Sequence, residues 1–213
     1  MRGLDAEQRR EQRREQVLRT TLELFAGRGY QNVSIELICQ TAYVSTKSFY
    51  ELFDSKETCY LALLRELTGR IQDRMQTALG ADAVTMDDLV AEFARALVED
   101  PRVAWVTFGQ ASGISPQIER QRRANRQWAA SFLITAWRAS EIVPPGSRQG
   151  RIIERTAIGV IGGLFDIIAD WLIDHDPTVP AQVTALISDL NTFHHLVCAG
   201  LRAHRASVGR PRG

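Results

Sequence analysis

The chain has 213 residues, 45% of them hydrophobic, and a formal net charge of +1. That length admits one compact domain or two small ones with a sizeable core, and the near-neutral balance excludes nucleic-acid binding by overall charge alone. Cys39, Cys59 and Cys198 are widely spaced and odd in number, which suits reduced thiols rather than a disulfide framework. No apolar leader opens the chain and no apolar run approaches eighteen residues, so a soluble, cytoplasmic protein without a membrane span is expected.

The first fifteen residues interleave arginines with acids. They read as the solvated start of a helix, or alternatively as an arm in which Arg2, Arg9 and Arg10 reach DNA phosphates or a minor groove. Val17, Leu18, Thr21, Leu22, Leu24 and Phe25 then recur at three- and four-residue intervals, giving a helix with one apolar face. Gly27-Arg28-Gly29 ends it. Ser34 can cap a short helix carrying Ile35, Ile38 and Cys39, and Ala42 is small enough for a close helix crossing. Tyr43-Val44 forms a turn, and Ser45 caps a second short helix from Thr46 to Phe53. Phe49, Leu52 and Phe53 anchor that helix inward, leaving Thr46, Lys47, Ser48 and Tyr50 facing outward. Hydroxyls, a cation and a phenol on one short helix suit base edges and phosphates of a major groove.

Residues 10–67 resemble the N-terminal DNA-binding domain of the tetracycline-repressor (TetR) family of bacterial transcriptional regulators. Leu24-Phe25-Ala26, Gly29-Tyr30, Ser34, Ile38, Ala42-x-Val44-Ser45, Phe49-Tyr50, Phe53 and Ser55-Lys56-Glu57 carry the resemblance, in register over roughly fifty residues. The family usually has glycine where Tyr43 stands, because the turn favours a residue that tolerates positive φ. The expected DNA-binding residues are Ser34, Tyr43, Ser45, Thr46, Lys47, Ser48, Tyr50 and Lys56, within a helix-turn-helix domain over 1–55.

Asp54 or Ser55 caps the next helix, whose stripe of Cys59, Leu61, Leu63, Leu64, Leu67, Ile71 and Met75 runs for about six turns. It links the first domain to a larger helical one over 56–205. Gly80-Ala81-Asp82 is a break, Thr85-x-x-Asp88 resembles a capping box, and Asp100-Pro101 closes the helix between them. A helix from Arg102 to Ala111 follows, then a break at Gly113 to Pro116, and then a helix to about Ser140. Val143 to Ser147 is a loop. No strand-like alternation and no repeat is visible, so the class is all-α.

The segment from Ile152 to Ile173 is apolar almost all round and must be covered on two sides. Ala181 to about His204 repeats Val183, Leu186, Ile187, Leu190, Phe193, Val197 and Leu201 at helical spacing. Two such helices meeting their symmetry mates would make a four-helix bundle. The candidate homodimer interface is Ile158, Gly162, Phe165, Ala169, Leu186, Leu190, Phe193 and Val197, and the resemblance implies the same dimer. A near-palindromic double-stranded DNA operator goes with it. The basic tail over 206–213 is expected to be disordered.

The resemblance also implies a small-molecule effector. Phe93, Trp105, Phe108, Trp128, Phe132 and Trp137, with Gln110 and Asn125 (Arg126 or Thr135 as further polar candidates), are the candidate ligand-binding residues; ordinary core is the other reading. Asp166, Asp170 and Asp174 with His175 are a conceivable acidic metal site, solvated carboxylates being the bland reading. His194-His195 are adjacent and point in different directions on a helix. No catalytic motif appears and no cofactor is implied. The sequence therefore predicts a ligand-responsive regulator, most simply a repressor, against an effector-independent DNA-binding protein or an all-helical metal-dependent enzyme.

Overall fold

The computed structural model describes residues 5–109, 115–143 and 150–208, and among them every regular element is helical. In chain order these are α1 (Ala6–Arg28), a 3-10 turn (Tyr30–Asn32), α2 (Ile35–Thr41), α3 (Thr46–Tyr50), α4 (Lys56–Leu79) and α5 (Met86–Val98). They continue with α6 (Pro101–Ala104) running into a π-helical turn (Trp105–Gly109), then α7 (Pro116–Ala139), α8 (Gly150–Asp174) and α9 (Pro180–Val208). The charged N-terminal segment is helix from its sixth residue: the Asp5 carboxylate accepts from the Gln8 amide, and the Gln8 side chain accepts from Asp5 N–H. The second short helix is shorter than expected, because Glu51 and Leu52 form a turn that leads directly to Phe53. The last helix continues four residues past His204, so the expected tail begins no earlier than residue 209; that remainder, Gly113 and the Pro144-Pro145 loop lie outside the described residues.

The chain divides into two compact units, and the division differs from an expected boundary at 55/56. The first unit comprises residues 1–70 and 102–122, the second 71–101 and 123–213. The core of the first is built from α1 (Leu18, Phe25), α2 (Ile38), α3 (Phe49) and α4 (Tyr60, Leu64), with Val106 and Ile118 added from the later segment. Three polar bonds fix that segment. Tyr60 Oη donates to the Val106 carbonyl (2.7 Å), Ser115 Oγ donates to Glu57 (2.6 Å), and Arg65 Nε donates to Gln121 Oε1 (3.1 Å). Cys39, Cys59 and Cys198 are buried free thiols, and burial pushes Cys59 up to about 12 and Cys198 up to about 11, far from reactive thiolates.

In the second unit α5 is strongly amphipathic, with Leu89, Val90, Phe93 and Leu97 buried, and it packs chiefly on α9 and α8. Its capping box is present, Thr85 Oγ1 accepting from Asp88 N–H and the Asp88 carboxylate accepting from Thr85 N–H. Trp137, a ligand candidate by sequence, is a fully buried core residue whose indole Nε1 donates to His194 Nε2 at 2.9 Å. Leu186 and Leu190 are likewise corrected as interface candidates: both are buried within their own chain. Helical spacing identifies an apolar face but not which neighbour covers it. Phe193 is half-buried, its ring lying 2.7 Å from where a Cβ on Gly163 would stand, so glycine is what lets it seat on α8.

Beside these, α8 leaves apolar surface uncovered. Ile152, Ile158 and Ile173 are exposed, the last at 65%, as is Leu196 on α9 at 69%. Gly159 and Gly162 face open space. The expectation that no apolar stretch approaches a membrane span was too strong: α8 is long enough and apolar enough, with mean hydropathy 1.7, although 39% of its most apolar window is buried inside the chain.

His194 is buried, and desolvation, followed by the neighbouring His195, holds its pKa below the ordinary 6.5, with Asp87 opposing and Arg202 adding to the depression. The folded state thus favours the neutral ring, and the unfolded state binds the proton more readily. Stability from this group is complete above about pH 6.5 and is lost as pH falls below it. Thermal melting between pH 8 and 5.5 should show that loss, and His194→Gln should flatten the acidic limb while lowering the melting temperature at pH 8.

Candidate nucleic-acid interface and ligand cavity

The reversal between α2 and α3 sets which side chains of the first unit reach outward. Val44 N–H donates to the Cys39 carbonyl (3.0 Å) and Tyr43 N–H to the Gln40 carbonyl (3.3 Å), the paired bonds of a Schellman cap. Tyr43 takes the left-handed position of that cap, with φ of 53°. Gln16 of α1 locks the corner by donating to the Ala42 carbonyl at 2.8 Å. Ser45 then caps α3: its Oγ accepts from Ser48 N–H (3.0 Å) and donates to Ser48 Oγ (2.9 Å).

One face of α3 is thereby fixed inward and the other outward. Phe49 is fully buried, with its ring 5.6 Å from that of Phe53. Tyr43 is 92% exposed and Tyr50 52%, and Ser34, Ser45, Thr46 and Lys47 are exposed with them; Ser48 is half-buried. At the far end Arg10 donates to the Glu51 carbonyl (3.4 Å), so it holds the helix end rather than extending as an arm. Arg2 lies outside the described residues.

Lys56 differs from expectation. Its ammonium donates to the carbonyls of Tyr30 (2.9 Å) and Val33 (2.8 Å) and sits 4.2 Å from the Tyr30 ring centroid. Partial burial lowers its pKa, and burial raises that of the Tyr30 phenol. The cation clamps the 3-10 turn onto α4, and those carbonyls occupy donors that a phosphate would need. Ser34 is similarly engaged, its Oγ accepting from Leu37 N–H at 3.1 Å.

In the second unit, a wholly apolar cavity of about 40 Å³ is lined by Met75, Met86, Phe93, Trp128, Phe132 and Leu164, among others. Trp128 and Phe132 stack with centroids 5.4 Å apart. Three of the expected ligand residues thus come together, Phe93, Trp128 and Phe132. Trp105 belongs to the first unit, Asn125 is half-buried on α7 outside the cavity lining, and Gln110 and the Phe108 side chain lie outside the described residues. The lining residues missed by sequence reasoning are aliphatic (Met75, Met86, Leu164); their spacing marks them as core, and nothing in it tells a cavity wall from solid packing. Among the described residues no three His, Cys, Asp or Glu side chains converge as a metal requires, and His175 is turned to the Trp171 carbonyl at 3.0 Å.

A family model described as bacterial regulatory proteins, tetR family, matches residues 17–63. None of the curated proteins matches the chain in sequence. Among solved structures, the fatty acid degradation regulator FadR from Bacillus halodurans superposes with a TM-score of 0.69 at 17% identity, covering 89% of this chain and 96% of that one. A FadR from Bacillus subtilis in complex with stearoyl-CoA gives 0.64 at 19% identity, over 83% and 96% of the two chains. A transcriptional regulator (TerR/AcrR family) from Aquifex aeolicus VF5 gives 0.61 at 17%, over 87% and 99%. At such identities these likenesses establish the fold.

The two roles assigned to lysines separate on stability. Lys56→Met leaves two carbonyls without their donor and should cost about 1–3 kcal/mol in chemical denaturation, whereas the exposed Lys47→Ala should change it by about 0.5 kcal/mol or less. Tyr43→Gly relieves a left-handed residue with no packing to lose, and should leave stability unchanged or raise it by up to about 1 kcal/mol.

Proposed function

We propose that the chain, whose residues 17–63 match the model of bacterial regulatory proteins, tetR family, is a ligand-responsive transcriptional repressor of that family acting as a homodimer. The observation that carries the DNA-reading part is the two-sided α3, with Phe49 buried, Thr46, Lys47 and Tyr50 presented outward, and Tyr43 exposed in the turn before it. Thr46 and Ser48 reach base edges, while Lys47, Tyr50 and Tyr43 hold phosphates; Ser34 and Ser45 offer hydroxyls beside them. Lys56 acts from behind by positioning α4. A protein whose partner is chromosomal DNA works in the cytoplasm, and no enzymatic role is assigned.

The dimer forms through the uncovered surface of α8 and α9. Ile158, Gly162, Phe165, Ala169 and Val197 contribute, joined by Ile152, Ile173 and Leu196; Gly159 and Gly162 admit a close helix. Twofold pairing brings two α3 helices to half-sites about one helical turn apart, which makes the operator a near-palindrome.

The effector is mainly apolar and enters the cavity beside Trp128 and Phe132. Its 40 Å³ compares with the roughly 300–1,000 Å³ of occupied ligand sites, so binding requires Met75 and Met86 to repack, which unbranched thioethers do readily. Met75 sits on α4, the helix whose other end carries Lys56 and Tyr60. A coupling of about 1–3 kcal/mol through this helix would weaken operator binding about 5- to 150-fold. The FadR complex with stearoyl-CoA supports a long apolar ligand. The smallness of the cavity favours a second reading, a regulator that needs no effector.

Fluorescence anisotropy with DNA flanking its own gene, against a scrambled duplex, tests the first part. Two protomers should bind the specific duplex, and Lys47→Ala should weaken it about tenfold and reduce the salt slope by about one. Equal binding to specific, scrambled and selected random duplexes would overturn the assignment. Leu196→Glu should raise the dimer dissociation constant by about tenfold or more in analytical ultracentrifugation, with the fold retained; an unchanged dimer would move the interface elsewhere.

A further inference from the structure

We infer that the cleft at the start of α5, the end of α7 and the outer part of α9 holds the carboxylate of an amphiphilic ligand whose alkyl chain passes Met86 into the apolar cavity. This rests on the effector reading above and specifies the ligand's chemistry. The cleft measures about 430 Å³ and is lined by Thr85, Met86, Ser140, His194, His195 and Arg202, together with the buried Cys198 and Ile142. It belongs wholly to the second unit.

The central observation is an unpaired donor. His194 is 1% exposed, and its Nε2 accepts from the Trp137 indole at 2.9 Å. An indole N–H only donates, so the neutral ring carries its proton on Nδ1. That buried Nδ1 has no partner among the described residues. A buried N–H without an acceptor is costly unless something supplies one. Arg202, exposed on the same helix two turns on, brings a guanidinium to the same cleft and makes no ion pair among the described residues. Together they offer a neutral donor and a cation to one acceptor group.

The surroundings select its charge. Asp87 is paired with His195 Nε2 at 2.7 Å, and Asp88 is held by Thr85. Because Asp87 and Asp88 each bond a residue that lines the cleft, their charges disfavour a dianion there, while a single negative charge is balanced by Arg202. Met86 gives the ligand its second property, because it lines both this cleft and the apolar cavity. Rotation of one flexible thioether joins a polar mouth to a greasy interior. A monocarboxylate with an extended alkyl chain satisfies both ends.

The test is calorimetric titration of the full-length protein with dodecanoate, dodecanol and dodecyl phosphate, each below its micelle concentration, at pH 7.5. Dodecanoate should bind about tenfold tighter than either of the others, and Arg202→Gln, an exposed position that leaves the fold intact, should abolish that preference without changing dodecanol binding. The Trp137 indole N–H resonance should shift with dodecanoate and stay in place with dodecanol, since only the carboxylate loads His194. Equal affinities for dodecanoate and dodecanol, or a preference that survives Arg202→Gln, would overturn the headgroup site and leave the apolar effector reading standing. Dodecyl phosphate binding as tightly as dodecanoate would overturn the carboxylate assignment. Absence of binding by all three would overturn the site together with the effector reading.

Discussion

A single backbone reversal, four residues long, governs what the first unit can present. With Tyr43 left-handed, the amides of Tyr43 and Val44 close onto Gln40 and Cys39, and the chain leaves α2 at an angle that drops Phe49 into the core. Five residues make too short a helix to persist alone, because the first turn costs more order than one hydrogen bond returns. Therefore α3 exists because Ser45 caps it, Phe49 anchors it, and Gln16 and Arg10 hold the carbonyls at its two flanks.

The second unit is governed by a different constraint. α8 is apolar almost all round, and α9 covers only part of it, with the ring of Phe193 seated on Gly163. What remains, Ile152, Ile158 and Ile173 on α8 and Leu196 on α9, is surface that water tolerates poorly. Inside the same unit, the hydrogen bond from Trp137 spends the only acceptor of His194, and the ring's other nitrogen is left without a partner among the described residues. Packing is thus nearly complete in the interior and incomplete at two surfaces, which is the pattern of a domain shaped for company.

Much of this was legible in the residues. Ser34, Ser45 and Thr85 stand where helix starts need an oxygen, and each caps as its type predicts. The spacing of Phe49 and Phe53 among polar neighbours marks an inward and an outward side of this segment in the sequence alone. Tyr43 announced a turn with an unusual occupant, and the turn is there. Other features lie beyond local pattern. Lys56 reads as an exposed cation at a helix start, and only the fold brings the Tyr30 and Val33 carbonyls, 26 and 23 residues away, beneath it. Residues 102–122 carry no signal that they pack with the N-terminal unit. Leu186 and Leu190 satisfy an interface rhythm as well as a core rhythm, since a helix stripe has the same period whichever partner it meets.

The division of labour on α3 has a consequence for how such a protein diversifies. Its anchoring side chain and its outward ones occupy different positions, linked among the described residues by the Ser45–Ser48 pair, a Thr46 bond to the Cys39 thiol and the edge of Tyr50 on Phe49. Substitution at exposed Lys47 therefore meets little resistance from the fold and at Thr46 or Tyr50 a modest one, while Phe49 and the cap tolerate little. In the reading proposed here, a duplicate of this gene could drift to a new DNA sequence through a handful of surface exchanges. Its scaffold would be inherited unchanged, and its address alone rewritten.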